Sequence, residues 1–252
     1  MRGRAIRLSA PRRIVADLLH FALRMPLVPV ERRIDISRLQ AALAQSTKRP
    51  FWSAIFLKGF ALVAREMPEL RQVYLQWPRP RLYEYPSSVG VVGIERQFEG
   101  EVSLFPFRIV NDPAAQTLSD ISAQIQHAKE APLEDIKQFR RMLIFARLPR
   151  FLRRATWWLG LNIGRQRANY FGTFAVTTVG PDGASTMHPL APVTSTVGYG
   201  LFLQDGHTDV RIVFDHRVLD GAPMARSLVR LEEILNGKIL DEIGGVDAKS
   251  PA

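Results

Sequence analysis

The sequence predicts an α+β fold in which helices cover a mixed or largely antiparallel sheet. Three observations lead there: helical and strand-like patterns alternate irregularly, one pair of strands is joined through Asp205-Gly206, and no unit of roughly 20–50 residues repeats, which excludes solenoids and propellers. With 252 residues, of which 46% are hydrophobic and 23% charged, the chain has the composition of a packed protein and the length of one large domain or two small ones.

The elements follow in order. Arg33-Ile34-Asp35-Ile36 reads as a strand. Leu39, Ala42 and Leu43 mark a short helix over 37–44, with Asp35 and Ser37 available as caps. Residues 53–67 are apolar on nearly every face, as a helix held between a sheet and a further layer must be, and Pro68 stops it. Strands over 89–94 and 102–109 flank a turn at Phe98-Glu99-Gly100. Leu118, Ile121, Ile125 and Ala128 give 117–131 the spacing of an amphipathic surface helix. A strand over 173–179 ends at Gly180-Pro181-Asp182-Gly183, a strong chain reversal. Segments 197–203 and 209–215 form the hairpin around Asp205-Gly206, and in the second arm Val210, Ile212 and Phe214 alternate with Arg211 and Asp215, so one face is buried. Met224, Leu228, Leu231 and Leu235 then share a face of a helix that has Pro223 in its first turn and Asp220 at the cap.

Composition removes several classes of chemistry. The absence of cysteine excludes disulfides, thiolate catalysis, Cys-ligated zinc and iron–sulfur clusters, and the five histidines, at 20, 127, 188, 207 and 216, stand at no metal-ligand spacing, so no metal is expected. The arginine-rich N-terminus lacks the apolar run of a secretory signal, and 53–63, the most apolar long stretch, is interrupted by Lys58. The expected location is the cytoplasm. A net charge of +10 attracts anions of any kind: nucleic acid, anionic lipid or a phosphorylated cofactor.

The order strand, tight loop, helix places His216 in a loop at a sheet edge with a carboxylate, Asp220, four residues on. His-x-x-x-Asp-Gly is weak evidence by itself. The longer string Phe214-Asp215-His216-Arg217-Val218-Leu219-Asp220-Gly221-Ala222, however, resembles the signature of the dihydrolipoyl acyltransferase catalytic domains of 2-oxoacid dehydrogenase complexes, whose core is shared by chloramphenicol acetyltransferase. The strand and glycine turn Thr173-Phe174-Ala175-Val176-Thr177-Thr178-Val179-Gly180, the segment His188-Pro189-Leu190-Ala191-Pro192 and the stretches 56–70 and 89–110 are similar to further parts of that family, so the resemblance spans about 12–235.

The resemblance implies a chloramphenicol acetyltransferase-like mixed-sheet sandwich over 1–240, followed by a C-terminal tail at 241–252, and a homotrimer with each active site between subunits. It implies that His216 is the general base, that Thr177 supplies the oxyanion-stabilising hydroxyl where many members carry serine, and that Asp220 pairs with an N-terminal arginine, Arg13 by its distance from the first strand. The residue types suit that chemistry: a neutral imidazole of ordinary pKa near ~6.5 takes a proton from a thiol, hydroxyl or amine as it attacks a thioester, and the resulting oxyanion needs a pre-placed donor. Coenzyme A, as acyl-CoA, or another acyl carrier is the expected donor, and the acceptor is a small molecule or lipid.

Two departures from the family matter. The 252 residues hold no lipoyl-bearing module, so the donor is expected to arrive as a separate molecule; a dihydrolipoyl acyltransferase core serving lipoyl domains of other chains, and a non-catalytic trimeric scaffold or membrane-associated assembly protein, are the alternatives. An insertion at about 136–170 carries nine Lys or Arg and no acid, interleaved with Phe145, Phe151, Trp157, Trp158 and aliphatic residues. Either it is a helical pair packed on the domain with solvated arginines, or its 139–168 stretch meets something both anionic and apolar, a peripheral contact at the inner face of the membrane or an acyl carrier with its chain. Nucleic acid is not expected, because the aromatics are embedded among aliphatics.

Overall fold

The computed structural model describes residues 3–178 and 187–247. Helix α1 (Ala10–Ala22) leads into strand β1 (Leu27–Asp35), helix α2 (Ser37–Gln45) and helix α3 (Trp52–Glu66). A small hairpin, β2 (Gln72–Leu75) and β3 (Arg81–Glu84), precedes the long strands β4 (Gly90–Phe98) and β5 (Glu101–Ile109). Helices α4 (Leu118–Glu130), α5 (Lys137–Ala146), α6 (Arg150–Asn162) and α7 (Gly164–Phe171) follow, then β6 (Phe174–Thr178), β7 (Ser195–Tyr199) and β8 (His207–Asp215). Helix α8 (Gly221–Ile234) continues through a π turn into α9 (Leu240–Asp247).

The main sheet has six strands in the order β1-β8-β7-β6-β4-β5. Strand β6 runs parallel to both neighbours and the other pairs are antiparallel, so the sheet is mixed, as the sequence predicts. One face of it is covered by α2, α3, α4, α8 and α9, whose apolar positions join Ile34, Val92, Phe105, Phe174, Val197, Ile212 and Phe214 in one core. Helix α3 is apolar all round because it lies inside that core: Phe60 packs on Phe174 with ring centroids 5.0 Å apart, and Phe56 stacks on Tyr199 at 4.3 Å. Its Lys58 is buried and answered by the carboxylate of Glu242 on α9. Residues 241–247, expected to belong to a tail, are therefore part of a helix docked on the core through Glu242 and the buried Ile243.

The helices expected over 37–44, 53–67 and 117–131 are present, the last with the Thr117 hydroxyl accepting from the Asp120 amide at 3.1 Å. Strands β4 and β5 turn through Glu99 and Gly100, both left-handed at φ 52° and 79°, the geometry of a two-residue hairpin turn. Strand β7 is shifted from the expected 197–203: it starts at Ser195 and stops at Tyr199 because Phe202 leaves the sheet to pack its ring 4.1 Å from that of Trp52. The chain reversal at 180–183 lies outside the described residues.

The basic insertion forms three helices, and its arginines are not all solvated. Arg153 is buried and donates through Nε to the buried Asp17 of α1 at 2.6 Å, with Nη1 on the Leu148 carbonyl at 2.9 Å. Arg154 approaches the other Asp17 oxygen at 3.5 Å. Around this ion pair Phe21 stacks on Trp157 at 5.9 Å and Trp157 meets Phe171 at 4.7 Å, a second small core with Ile14 and Ala146. Helix α7 ends at Gly172, whose φ of 82° and 2.3 Å separation between an added Cβ and Val91 Cγ2 admit no side chain; the chain turns there into β6.

Removing one partner of a buried ion pair leaves the other charge uncompensated. Asp17→Asn is expected to lower unfolding free energy by about 3 kcal/mol in urea denaturation, and the double variant Asp17→Leu with Arg153→Met to recover most of that loss. A single variant as stable as the wild type would show that the pair does not hold α1 to α6.

Candidate functional site

The corner at the C-terminal end of β8 is built from the buried carboxylate of Asp215. Because β8 is paired on both sides, with Asp215 opposite Leu27 and Phe214 opposite Ser195, its end is fixed in position. Asp215 Oδ1 accepts from the Arg217 backbone amide at 3.1 Å and from Arg217 Nε at 2.9 Å, while Oδ2 accepts from Nη2 at 2.7 Å. The Arg217 guanidinium lies 4.4 Å from the centre of the Tyr74 ring on β2. These contacts fold the chain back over its own strand and turn His216, between the two charged residues, outward.

The His216 backbone amide donates to the Pro26 carbonyl at 3.0 Å, its ring lies 5.7 Å from that of Phe214, and its side chain remains 45% exposed. Nδ1 is 3.6 Å from Asp220 Oδ1, beyond a direct hydrogen bond but close enough for the carboxylate to bias which ring nitrogen carries the proton. Asp220 occupies the cap position of α8, yet its side chain makes no capping bond and is turned towards His216.

Beneath this corner sits Arg167 of α7, a residue the sequence reading counts only as one more basic charge of the insertion. Its guanidinium is buried and donates to the carbonyls of Tyr74 at 2.8 Å, Leu161 at 3.3 Å and Pro192 at 3.3 Å. Burial pushes its pKa down to about 10, opposed by the charges of Tyr85 and Asp215. Burial likewise raises the Tyr85 hydroxyl to about 12; that hydroxyl donates to the Gly164 carbonyl at 2.7 Å. The insertion thus ties the β2 strand and the 187–192 segment to the His216 corner. No sequence spacing signals it, because Arg167 reaches its partners through backbone carbonyls.

The other expected site residues lie elsewhere. Thr177 is half-buried on β6, where the row Thr177, Gly198, Arg211 and Glu31 crosses the sheet on the face away from the helices; Gly198 has no side chain to cover it, and Arg211 and Glu31 pair across the row. His216 stands five residues further along than Arg211 and two strands over from β6, so Thr177 and His216 are separated by about 19 Å within one chain. The Arg13–Asp220 pair is not formed within the chain. Helix α1 is docked through Arg12 on Glu101 at the β5 edge, opposite the β1–β8 edge, and Arg13 Nε donates instead to the Ser9 carbonyl at 3.4 Å. Two cavities of about 320 and 530 Å³ open around Arg49, Pro50 and Phe51, and neither is lined by His216.

No family model and no curated protein matches the chain. Solved structures do. A truncated catalytic core of the 2-oxoacid dehydrogenase multienzyme complex from Thermoplasma acidophilum aligns with a TM-score of 0.66 at 18% identity, covering 93% of this chain and 99% of the other. The cubic core of the pyruvate dehydrogenase multienzyme complex gives 0.65 at 18%, covering 93% and 91%. This chain has the fold of those acyltransferase cores. Azotobacter vinelandii dihydrolipoamide acetyltransferase gives 0.64 at 17% identity over 94% and 92% of the two chains, so the acyltransferase-core fold takes in nearly the whole molecule.

Asp215→Ala leaves the Arg217 guanidinium, among the described residues, with the Tyr74 ring alone and is expected to lower stability by about 2–3 kcal/mol, measured by chemical denaturation. Unchanged stability would mean that Asp215 does not pin the corner.

Proposed function

We propose that the chain is an acyltransferase that moves an acyl group between coenzyme A, or another pantetheine thiol, and a free acceptor. The observation that carries this reading is His216, held half-exposed on a rigid strand–turn–helix corner with Asp220 beside Nδ1, inside a molecule that has the acyltransferase-core fold throughout. In the forward step the neutral His216 Nε2 takes the proton of the acceptor as the acceptor's sulfur, oxygen or nitrogen bonds to the thioester carbonyl carbon. The carbonyl oxygen becomes an oxyanion, stabilised by a hydroxyl donor. Collapse re-forms the carbonyl, breaks the carbon–sulfur bond, and the imidazolium returns its proton to the departing thiolate. Asp220, 3.6 Å from Nδ1, helps orient the ring so that Nε2 faces the acceptor.

The separation of Thr177 from His216 within the chain bears on assembly. An oxyanion donor about 19 Å from the base is useless inside one subunit, so Thr177 serves the base of a neighbouring copy, in a homotrimer with shared sites. A second reading, a dihydrolipoyl acyltransferase acting on lipoyl groups of other chains, is favoured by the solved structures themselves, since one of them is a dihydrolipoamide acetyltransferase. Offering acetyl-CoA with either free dihydrolipoamide or non-thiol acceptors, and following the release of coenzyme A and the acetylated acceptor by chromatography, separates the two.

With any active acceptor, His216→Ala is expected to lower turnover by ~10²–10⁴ while circular dichroism stays unchanged. A variant with wild-type turnover removes His216 from the chemistry. Light scattering is expected to give about three times the 28.5 kDa of one chain; an active species of single-chain mass would contradict the shared site.

A further inference from the structure

Helix α6 has two apolar faces, and among the described residues only one is covered. At about 100° per residue, Arg153, Trp157 and Gly160 fall within roughly 60° of one another and are the buried stripe against α1 and α7. On the opposite side, Trp158, Phe151, Ala155, Leu159 and Leu152 span about 120° of the helix surface, and all five are exposed. Phe151 is 71% exposed and Leu159 50%, values that a helix facing water on that side does not need to tolerate.

The surroundings extend the face and define its charge. At one end Trp77, 58% exposed in the β2–β3 loop, meets Trp158 edge-on at 5.8 Å, and its amide donates to Asn162 Oδ1 at 3.2 Å, so two indoles are held together beside Arg79 and Arg81. At the other end the last turn of α1 brings exposed Leu19 and Leu23 next to the start of α6. There His20 is held below its ordinary range by burial and by the charges of Arg154, Arg24 and Arg150. Arg140, Arg141 and Arg147 are exposed on α5 and its cap, and the described part of the stretch from 136 to 178 contains no acid.

We propose that α6 lies flat on a membrane surface that carries anionic lipid, with Phe151, Leu152, Trp158 and Leu159 in the headgroup–acyl boundary and the arginine rim on the lipid phosphates. Among the described residues no helix is long and apolar enough to cross a membrane, so the contact is peripheral. A lipid surface fits where a second copy meeting the same face does not: the like face would bring the same arginines together with no acid between them, whereas a phosphate layer neutralises all of them while the apolar stripe leaves water. The paired tryptophans sit where amphipathic rings partition, at the edge of the apolar stripe.

The test is co-sedimentation of the full chain with phosphatidylcholine vesicles and with vesicles containing phosphatidylglycerol, in low and high salt. Arg153 and Arg154 are left intact because both touch Asp17. Binding is expected only to the anionic vesicles and is expected to weaken in high salt. Arg147→Gln with Arg150→Gln should weaken it roughly 30-fold, at about a fivefold loss per charge near the surface, and Phe151→Ser with Leu159→Ser by at least as much. Circular dichroism and thermal unfolding matching the wild type establish that each double variant is folded. The proposal is overturned if the folded wild type ignores anionic vesicles, if neither double variant changes binding, or if Phe151→Ser with Leu159→Ser lowers the mass in solution, which would assign the face to a second copy of the chain.

Discussion

The double pairing of β8 is the constraint on which the rest of this molecule depends. Bonded to β1 along its full length on one side and to β7 on the other, β8 cannot shift register without carrying Val210, Ile212 and Phe214 out of the core. Its last residue, Asp215, is therefore delivered to one point in space, and the ionic fold-back onto Arg217 converts that fixed strand end into a fixed loop. His216 owes its position to this chain of restraints.

The insertion between α4 and β6 acts in two directions. Inward, Arg153 on Asp17 anchors α1, and Arg167 binds carbonyls of β2, of α6 and of the segment before β7, so the added helices are part of the frame around the site. Outward, α6 presents an apolar stripe and a basic rim that no other described residue covers. A stretch with no acid can satisfy both demands because the buried arginines find their partners far away in sequence, one in a carboxylate of α1 and the other in backbone oxygens.

The strand-and-helix frame was largely legible beforehand for a local reason. Apolar spacing over 117–131, the all-round apolarity of 53–67 and the alternation at 210–215 are set by which faces must leave water, and such patterns survive without knowledge of partners. Helix α1 has a comparable local signal, Ser9 as cap, Pro11 in the first turn and Ile14, Leu18 and Phe21 at helical spacing, although its buried Asp17 finds its partner only in the insertion. The β2–β3 hairpin has none: it is two four-residue strands around Trp77-Pro78 whose apolar side is covered by α7.

The sequence by itself determined the mixed α+β frame, the corner after β8 and His216 with Asp220 at that corner, because each is written in contiguous residues: a two-residue turn, an alternating strand, a motif of nine. Only the tertiary structure decided which arginines are buried, that Arg13 stays with Ser9 while Asp220 turns to His216, and that Thr177 lies far from His216 within one chain. Those outcomes depend on which strands are neighbours and on which edge a helix docks. Strand order is fixed by the summed burial of the whole core, a long-range quantity that no local run of residues encodes.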